Sequence, residues 1–189
     1  MARPREFDYE KVLDGGLQLF WHEGYEATSL DALLEKTGLS KSSFYGAFGS
    51  KHDMLLVSLD RYIETVLQAN IEDLRRGPAR QAITRGFEKI LGFAPSSRVC
   101  FLHLCAAELA GHDQLVRMRV RRGLELLQDA YRDAIVRGRA AGEFASHTDA
   151  DALATFFVSN LYGLQVLARA NFASDARSKT LTFVLRALD

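Results

Sequence analysis

The sequence predicts an all-α protein, with an N-terminal three-helix helix-turn-helix domain joined by a long helix to a C-terminal helical domain. Three observations carry that prediction. Apolar residues recur at helical spacing along the chain, and no stretch alternates as a strand would. Three helix-start signals crowd into residues 28–53. The segment 149–170 is apolar on more than one side, so it must be buried from two directions. At 189 residues the chain can bury one large core or two small ones. The division is expected at residue 60, giving a domain over 1–60 and a second over 61–189.

The elements follow in order. Arg3 and Arg5 flank Pro4 in a short terminal arm. Tyr9, Leu13, Gly16, Leu17 and Phe20 form one face of a first helix that ends at Gly24, with Trp21 and Tyr25 as packing residues. Thr28 with Asp31 fits a capping box, and Leu30, Leu33 and Leu34 give the next short helix its apolar face. Gly38 stops that helix in a left-handed conformation, and Ser40 caps a third helix from Lys41 to Phe48. Ser50 with Asp53 repeats the capping box, and helical spacing then runs through Leu55, Leu59, Tyr62, Val66 and Ile71 to Gly77-Pro78.

Pro78 opens another helix, carrying Ile83, Phe87, Ile90 and Leu91, which gives way at Gly92 before a loop at Pro95-Ser96-Ser97. Val99–Ala110 is an apolar helix, interrupted at Gly111-His112-Asp113. Residues 113–139 read as a long amphipathic helix whose polar side carries Arg117, Arg119, Arg121 and Arg122, a solvated face paired with Asp and Glu. After a polar connector from Gly138 to His147, Thr148 or Asp149 starts the helix reaching Ala170, and a last helix spans Asp175 to Leu188.

The helix 41–48 divides its labour. Phe44 and Phe48, four apart, hold it to its neighbours, whereas Ser40, Lys41, Ser42 and Ser43 at its start are small, hydroxylated or cationic. A recognition helix enters the major groove of DNA with its N-terminal residues on base edges. Tyr45 offers a phenolic donor on the flank. Lys51 stands in the first turn of a helix, where a cation is unfavourable, and a DNA phosphate is the anion expected to justify it. Net charge runs the other way. The chain is formally neutral, and residues 1–60 hold six Lys and Arg against ten Asp and Glu. DNA contact therefore requires Arg3, Arg5, Lys41 and Lys51 to converge locally while the acids face away.

The run Gly38-Leu-Ser-Lys-Ser-Ser-Phe-Tyr-Gly-Ala-Phe-Gly-Ser-Lys51 resembles the signature of TetR-type transcriptional regulators, G-[VL]-S-x-x-x-[LF]-Y-x-x-F-x-[SN]-K. Phe20, Gly24, Thr28 and Ser29 extend the resemblance across the first sixty residues. Leu34 and Thr37 depart from it, standing where alanine is usual, which implies altered packing of the short helix. The resemblance implies a ligand-responsive repressor that binds a palindromic double-stranded DNA operator as a homodimer and is released by a small-molecule inducer. In it, the helix from Lys51 is a connecting rod whose tilt couples ligand to DNA affinity.

Thr28, Ser29, Ser40, Lys41, Ser42, Ser43, Tyr45 and Lys51, with Arg3 and Arg5, are then the expected DNA contacts. The last two helices are expected to pair with their copies through Phe157, Leu161 and Leu164. No ligand residues transfer by motif. Aromatic or polar groups on otherwise apolar C-terminal helices are the pocket candidates: Phe87, Phe101, His103, Glu108, Met118, Arg122, Tyr131, Asn160, Tyr162 and Gln165.

Other classes of function find little support. No Gly-rich phosphate loop, nucleophile elbow, HExxH or acid–base pair stands out, so neither enzyme nor cofactor is expected. A helical adaptor using 149–188 for a different protein is the remaining alternative. Cys100, His103, Cys105, Glu108 and His112 invite a metal reading, but Cys105 points about 140° away from Cys100 on one helix. No metal is expected, and both cysteines read as inert core residues, the alternative being a reactive thiol at Cys100, which shares a helical face with His103. The N-terminal residues lack an apolar signal region, and Ala152–Ala168 is broken by Thr155, Ser159, Asn160 and Gln165. A cytoplasmic protein without a membrane span is expected.

Overall fold

A computed structural model describes residues 7–91, 99–144, 147, 149–172 and 174–189. Arg3, Arg5, the loop at 95–97 and Thr148 lie outside the described residues. Among the described residues there are ten α-helices and no strand. They form two compact units, residues up to Thr65 with Phe101–Val120, and Val66–Cys100 with Arg121–Asp189.

The first unit is built on α1 (Tyr9–Glu23), α2 (Leu30–Thr37), α3 (Lys41–Phe48) and α4 (Lys51–Tyr62). Asp8 caps α1 by accepting from the Lys11 N–H (3.2 Å), and Val12, Leu13, Leu17 and Phe20 make its buried face. Gly16 completes that face by leaving room for the Met54 side chain of α4. The cap of α2 is Ser29, whose Oγ accepts from the Ala32 N–H (3.1 Å), one residue later than the capping box predicts. Thr28 is withdrawn from that role because its hydroxyl donates to the Gly24 carbonyl (2.6 Å), closing the turn out of α1. Gly38 does end α2 in the left-handed region, at φ 69°. The departure at Thr37 has its own solution: the hydroxyl donates to the Leu33 carbonyl (2.6 Å), and its methyl lies 3.8 Å from the Cβ position of Gly15 on α1.

Beyond Tyr62 the chain does not continue as simple α-helix. Ile63–Leu67 winds as a π turn before α5 (Gln68–Arg75). One extra residue enters the turn at a β-branched cluster, where the Thr65 hydroxyl donates back to the Arg61 carbonyl (2.7 Å). The long helix expected from periodicity is thus three consecutive helical segments, and the division between the two units falls within the π turn.

The first unit also takes in α7 (Phe101–Glu108) and the opening turns of α8 (Gln114–Ala140). This differs from the boundary expected at residue 60. The reason is aromatic packing across long sequence separations. Trp21 meets Tyr62 edge-on at 5.0 Å, and Phe101 lies 5.7 Å from Tyr62 and 6.4 Å from Trp21.

In the second unit α6 (Ala79–Leu91) packs on α5, α9 (Ala150–Arg169) and α10 (Ser174–Arg186), and α9 packs on α10. Pro78 precedes α6 as expected, and Glu143 supplies its cap: the carboxylate accepts from the Ala79 and Arg80 N–H groups at 2.9 Å each. Those two donors hold the Glu143 carboxyl below its ordinary range. The core centres on Phe87, Tyr131 and Phe157, with ring centroids 5.8–6.2 Å apart.

On α9 the faces exchange roles relative to expectation. Phe157, Leu161 and Leu164 are buried in the chain's own core, with Leu153 and Ala168. They are therefore not available to a second copy. The apolar groups left outside are Phe156 (42% exposed) and Val166 on α9, and Phe183 (66% exposed) on α10. The helix is apolar on both sides, as predicted, but the outward side is the one carrying Phe156.

Candidate nucleic-acid interface

The recognition candidate is α3, and its two faces are distinct. Phe44 and Phe48 are buried, their rings 5.5 Å apart, and Phe48 stacks on Tyr9 of α1 at 5.3 Å. The opposite face exposes Ser40, Lys41, Ser42 and Tyr45, with Ser43 half-buried. Ser40 is the local hub. Its Oγ accepts from the Ser43 N–H (3.2 Å) and lies 3.1 and 2.9 Å from the hydroxyls of Ser42 and Ser43. The start of α3 therefore presents a preorganised hydroxyl cluster beside the Lys41 ammonium. Ser29 is exposed at the start of α2, but Thr28 is fully buried, so its side chain is not at the surface.

Lys51 is engaged differently from the sequence expectation. Its Nζ donates to the carbonyls of Tyr25 (2.9 Å) and Thr28 (2.7 Å), and it lies 4.1 Å from the centre of the Tyr25 ring. The positive charge at the start of α4 is balanced by carbonyl dipoles and an aromatic face, so it has no need of a phosphate. Lys51 thus fixes the α1–α2 corner to α4.

A second set of contacts ties the same corner to α7 and α8. The Glu108 carboxylate accepts from the Tyr25 N–H (2.8 Å) and packs against Gly24, whose φ of 91° and absent Cβ allow the approach. His52 Nε2 lies 2.5 Å from Asp113, which also caps α8 by accepting from the Leu115 and Val116 N–H groups (2.9 and 3.0 Å). Arg119 pairs with Asp60 (2.9 Å), and Arg61 with Asp14 and Glu10 (2.9 and 2.7 Å). Several acids that made residues 1–60 negative are thus paired with arginines beyond residue 60.

The capping acid Asp113 gives a pH expectation. Burial pushes its carboxyl up, but the Val116 N–H, His52 and the Leu115 N–H outweigh burial and hold it below the ordinary 3.8. A depressed folded-state pKa contributes stability that is present above the unfolded value and lost as pH falls through the folded one. Melting temperature is expected to fall below about pH 4, and Asp113→Asn should flatten that part of the profile. Thermal melts of both proteins between neutral and acidic pH check this.

The pocket candidates separate on inspection. Phe101, His103, Glu108 and Met118 belong to the first unit. Glu108 is committed to the Tyr25 amide, while Met118 and Arg122 are exposed and line no interior. Asn160 donates back to the Phe156 carbonyl of its own helix (2.8 Å). Phe87, Tyr131 and Gln165 are buried in the second unit, with Tyr162 half-buried. Burial pushes the hydroxyls of Tyr131 and Tyr162 well above their ordinary range, so both stay protonated. Gln165 Oε1 accepts from the Cys100 N–H (2.7 Å), and Cys100 Sγ lies 3.5 Å from the Tyr162 hydroxyl. Cys105 is buried in the first unit. Among the described residues no three His, Cys, Asp or Glu side chains converge as a metal site.

Comparison with known proteins places this geometry. Residues 12–57 match the family described as bacterial regulatory proteins, tetR family, and residues 77–184 match the tetracyclin repressor-like C-terminal domain. The chain is 29% identical to the uncharacterized HTH-type transcriptional regulator YezE of Bacillus subtilis, with all of both chains covered. It is 27% identical to the HTH-type transcriptional repressor ComR of Escherichia coli, over 89% of this chain and 82% of that one. Among solved structures it is similar to the TetR family transcriptional regulator CifR, a cysteine mutant complexed with a 26-base-pair double-strand operator DNA. That match has a TM-score of 0.83 and 29% identity, and covers 99% of this chain and all of CifR.

Proposed function

The chain belongs to the TetR family of bacterial regulatory proteins, and from that premise we propose that it is a homodimeric, ligand-responsive transcriptional repressor acting in the cytoplasm and without enzymatic activity. The observation that carries the reading is the exposed start of α3. Its hydroxyls and the Lys41 ammonium are held on a helix whose other face is locked by Phe44 and Phe48. Two such helices, one from each subunit, enter successive major grooves of a palindromic double-stranded operator. Arg3 and Arg5 reach the duplex from the terminal arm, and Ser29 contacts phosphate.

The second subunit docks on the face carrying Phe156, Val166 and Phe183. Gly163 supports that assignment. It lies on the exposed side of α9, and a Cβ there would meet nothing within 4 Å in the chain itself. A glycine inside a helix costs about 1 kcal/mol relative to alanine. Close approach of a second helix gives that cost a purpose. A small molecule bound in the second unit favours a state with lower operator affinity, and by linkage operator DNA weakens the ligand equally.

Selection from a randomised duplex library should enrich an inverted repeat with half-sites one helical turn apart. Lys41→Ala and Ser42→Ala are expected to change the enriched bases, at about 1–3 kcal/mol per lost contact. Tyr45→Phe should weaken operator and scrambled duplexes alike. Enrichment of no sequence at all would remove the proposed function.

A further inference from the structure

The recognition candidate α3 carries a glycine that nothing inside the protein requires. Gly46 is the sixth of the eight residues in Lys41–Phe48, and glycine is the poorest helix former after proline. Its backbone does not call for it. Gly38 and Gly49, on either side of the helix, hold positive φ values (69° and 81°), and Gly46 does not. Packing does not call for it either. A Cβ at Gly46 would meet no heavy atom within 4 Å beyond its chain neighbours and its own helix backbone, and the residue is exposed. The remaining reason lies outside the chain, in whatever α3 is pressed against.

The direction in which Gly46 faces decides what that is. At about 3.6 residues per turn, it stands about 160° around the helix from both Phe44 and Phe48, the two rings that fix α3 to its neighbours. It is therefore the point of α3 farthest from the core. Only Ser42 and Ser43 of the same helix lie within about 60° of it. The long side chains, Lys41 and Tyr45, lie about 140° and 100° away to one side. The leading edge of α3 thus carries nothing larger than a serine. Its hydroxyls are already gathered on Ser40, with Oγ separations of 3.1 and 2.9 Å to Ser42 and Ser43.

Serine hydroxyls read bases only at short range. Their hydrogen bonds close at about 2.7–3.2 Å and are lost by about 3.6 Å, and the side chain has no length to spare. A helix with its side chains is about 10–12 Å across, and the major groove is about 12 Å wide. The backbone of α3 therefore has to lie near the groove floor for Ser42 and Ser43 to reach a base edge. A carbon added at residue 46 would need about 3.5–4.0 Å from the nearest base atom, and it would hold the helix off where the approach is closest. We infer that Gly46 sets the depth at which α3 enters the major groove, and that base readout by Ser42 and Ser43 depends on it. Gly46 is a positioning residue, acting through the two serines. This rests on the reading of α3 as a recognition helix and assigns part of its specificity to close backbone approach.

The test uses the full-length protein, the duplex that wild type enriches from a randomised library, and a scrambled duplex of the same length. Gly46→Ala is expected to melt about 2–4 °C above wild type, because alanine suits a helix better and the space beside it is empty. It should nevertheless bind the enriched duplex about 10-fold more weakly, the scale of one lost base contact, and Gly46→Leu at least about 100-fold more weakly. Binding of the scrambled duplex should change by less than about 3-fold in both variants, because phosphate contacts carry it. A merely structural glycine would not separate stability from discrimination in this way. The inference is overturned if Gly46→Ala binds the enriched duplex as tightly as wild type does. It is equally overturned if Gly46→Ala melts below wild type, or weakens both duplexes to the same extent. Those outcomes leave the proposed function standing, whereas a wild type that enriches no sequence removes that function and this inference with it.

Discussion

Glutamate at both Phe156 and Phe183 is expected to give a folded monomer whose operator affinity falls by about 10²–10⁴-fold, the factor lost when two linked half-site contacts become independent. Both side chains are exposed in the single chain, so charge there costs the subunit little. In a dimer the same carboxylates would be desolvated against apolar partners. Sedimentation should show one species of subunit mass, with helical circular dichroism unchanged. Phe157→Glu, one residue away, is expected to behave oppositely. Its ring is fully buried between Phe87 and Tyr131. Even truncating a buried phenylalanine costs about 3–5 kcal/mol, and an unpaired carboxylate in its place adds to that. Net stabilities are about 5–15 kcal/mol, so this variant should fail to fold. A double variant that remained a dimer with full operator affinity would remove the assigned face.

Lys51→Met is expected to be strongly destabilising. It keeps the length of the aliphatic stem but removes two charge-assisted bonds to the Tyr25 and Thr28 carbonyls, each worth about 1.5–3 kcal/mol. The corner between α1 and α2 would loosen, and with it the placement of α3. A phosphate-anchoring lysine would behave differently, because removing one phosphate contact lowers the salt dependence of binding by about 0.9 in log–log slope. The expected result is a lower melting temperature with an unchanged slope for the folded fraction. Titrations of operator at several salt concentrations, below the melting range, distinguish the two. A normal melt with a reduced slope would return Lys51 to the phosphate.

Much of the first unit was legible because its signals are local. Ser40, Gly38 and Ser50 act within four residues of themselves, and backbone geometry makes their roles nearly context-free. The cap at Ser29 was misplaced by one residue because two adjacent hydroxyls compete for it. Only the turn geometry at Gly24 shows that Thr28 is already spent on a carbonyl. The carbonyl contacts of Lys51 were illegible for a related reason: a helix-terminal cation demands a negative partner, but sequence does not say that carbonyls twenty-three and twenty-six residues away will meet it.

Helical periodicity by itself determined that the chain is all-α, where nearly every helix starts and stops, and that the helix after Asp149 needs burial on two sides. It also determined which helix carries small hydroxylated residues at its start. Tertiary structure alone decided which side of α9 faces inward, because Phe156 and Phe157 are equally apolar and only packing against Phe87 and Tyr131 tells them apart. It alone joined α7 and the start of α8 to the helix-turn-helix, through contacts such as Tyr25–Glu108 and His52–Asp113 that span 83 and 61 residues. It alone buried Arg177 on α10 with no hydrogen-bond partner among the described residues for its Nε and Nη1, since a polar group in sequence is matched or unmatched only once its neighbours in space are fixed.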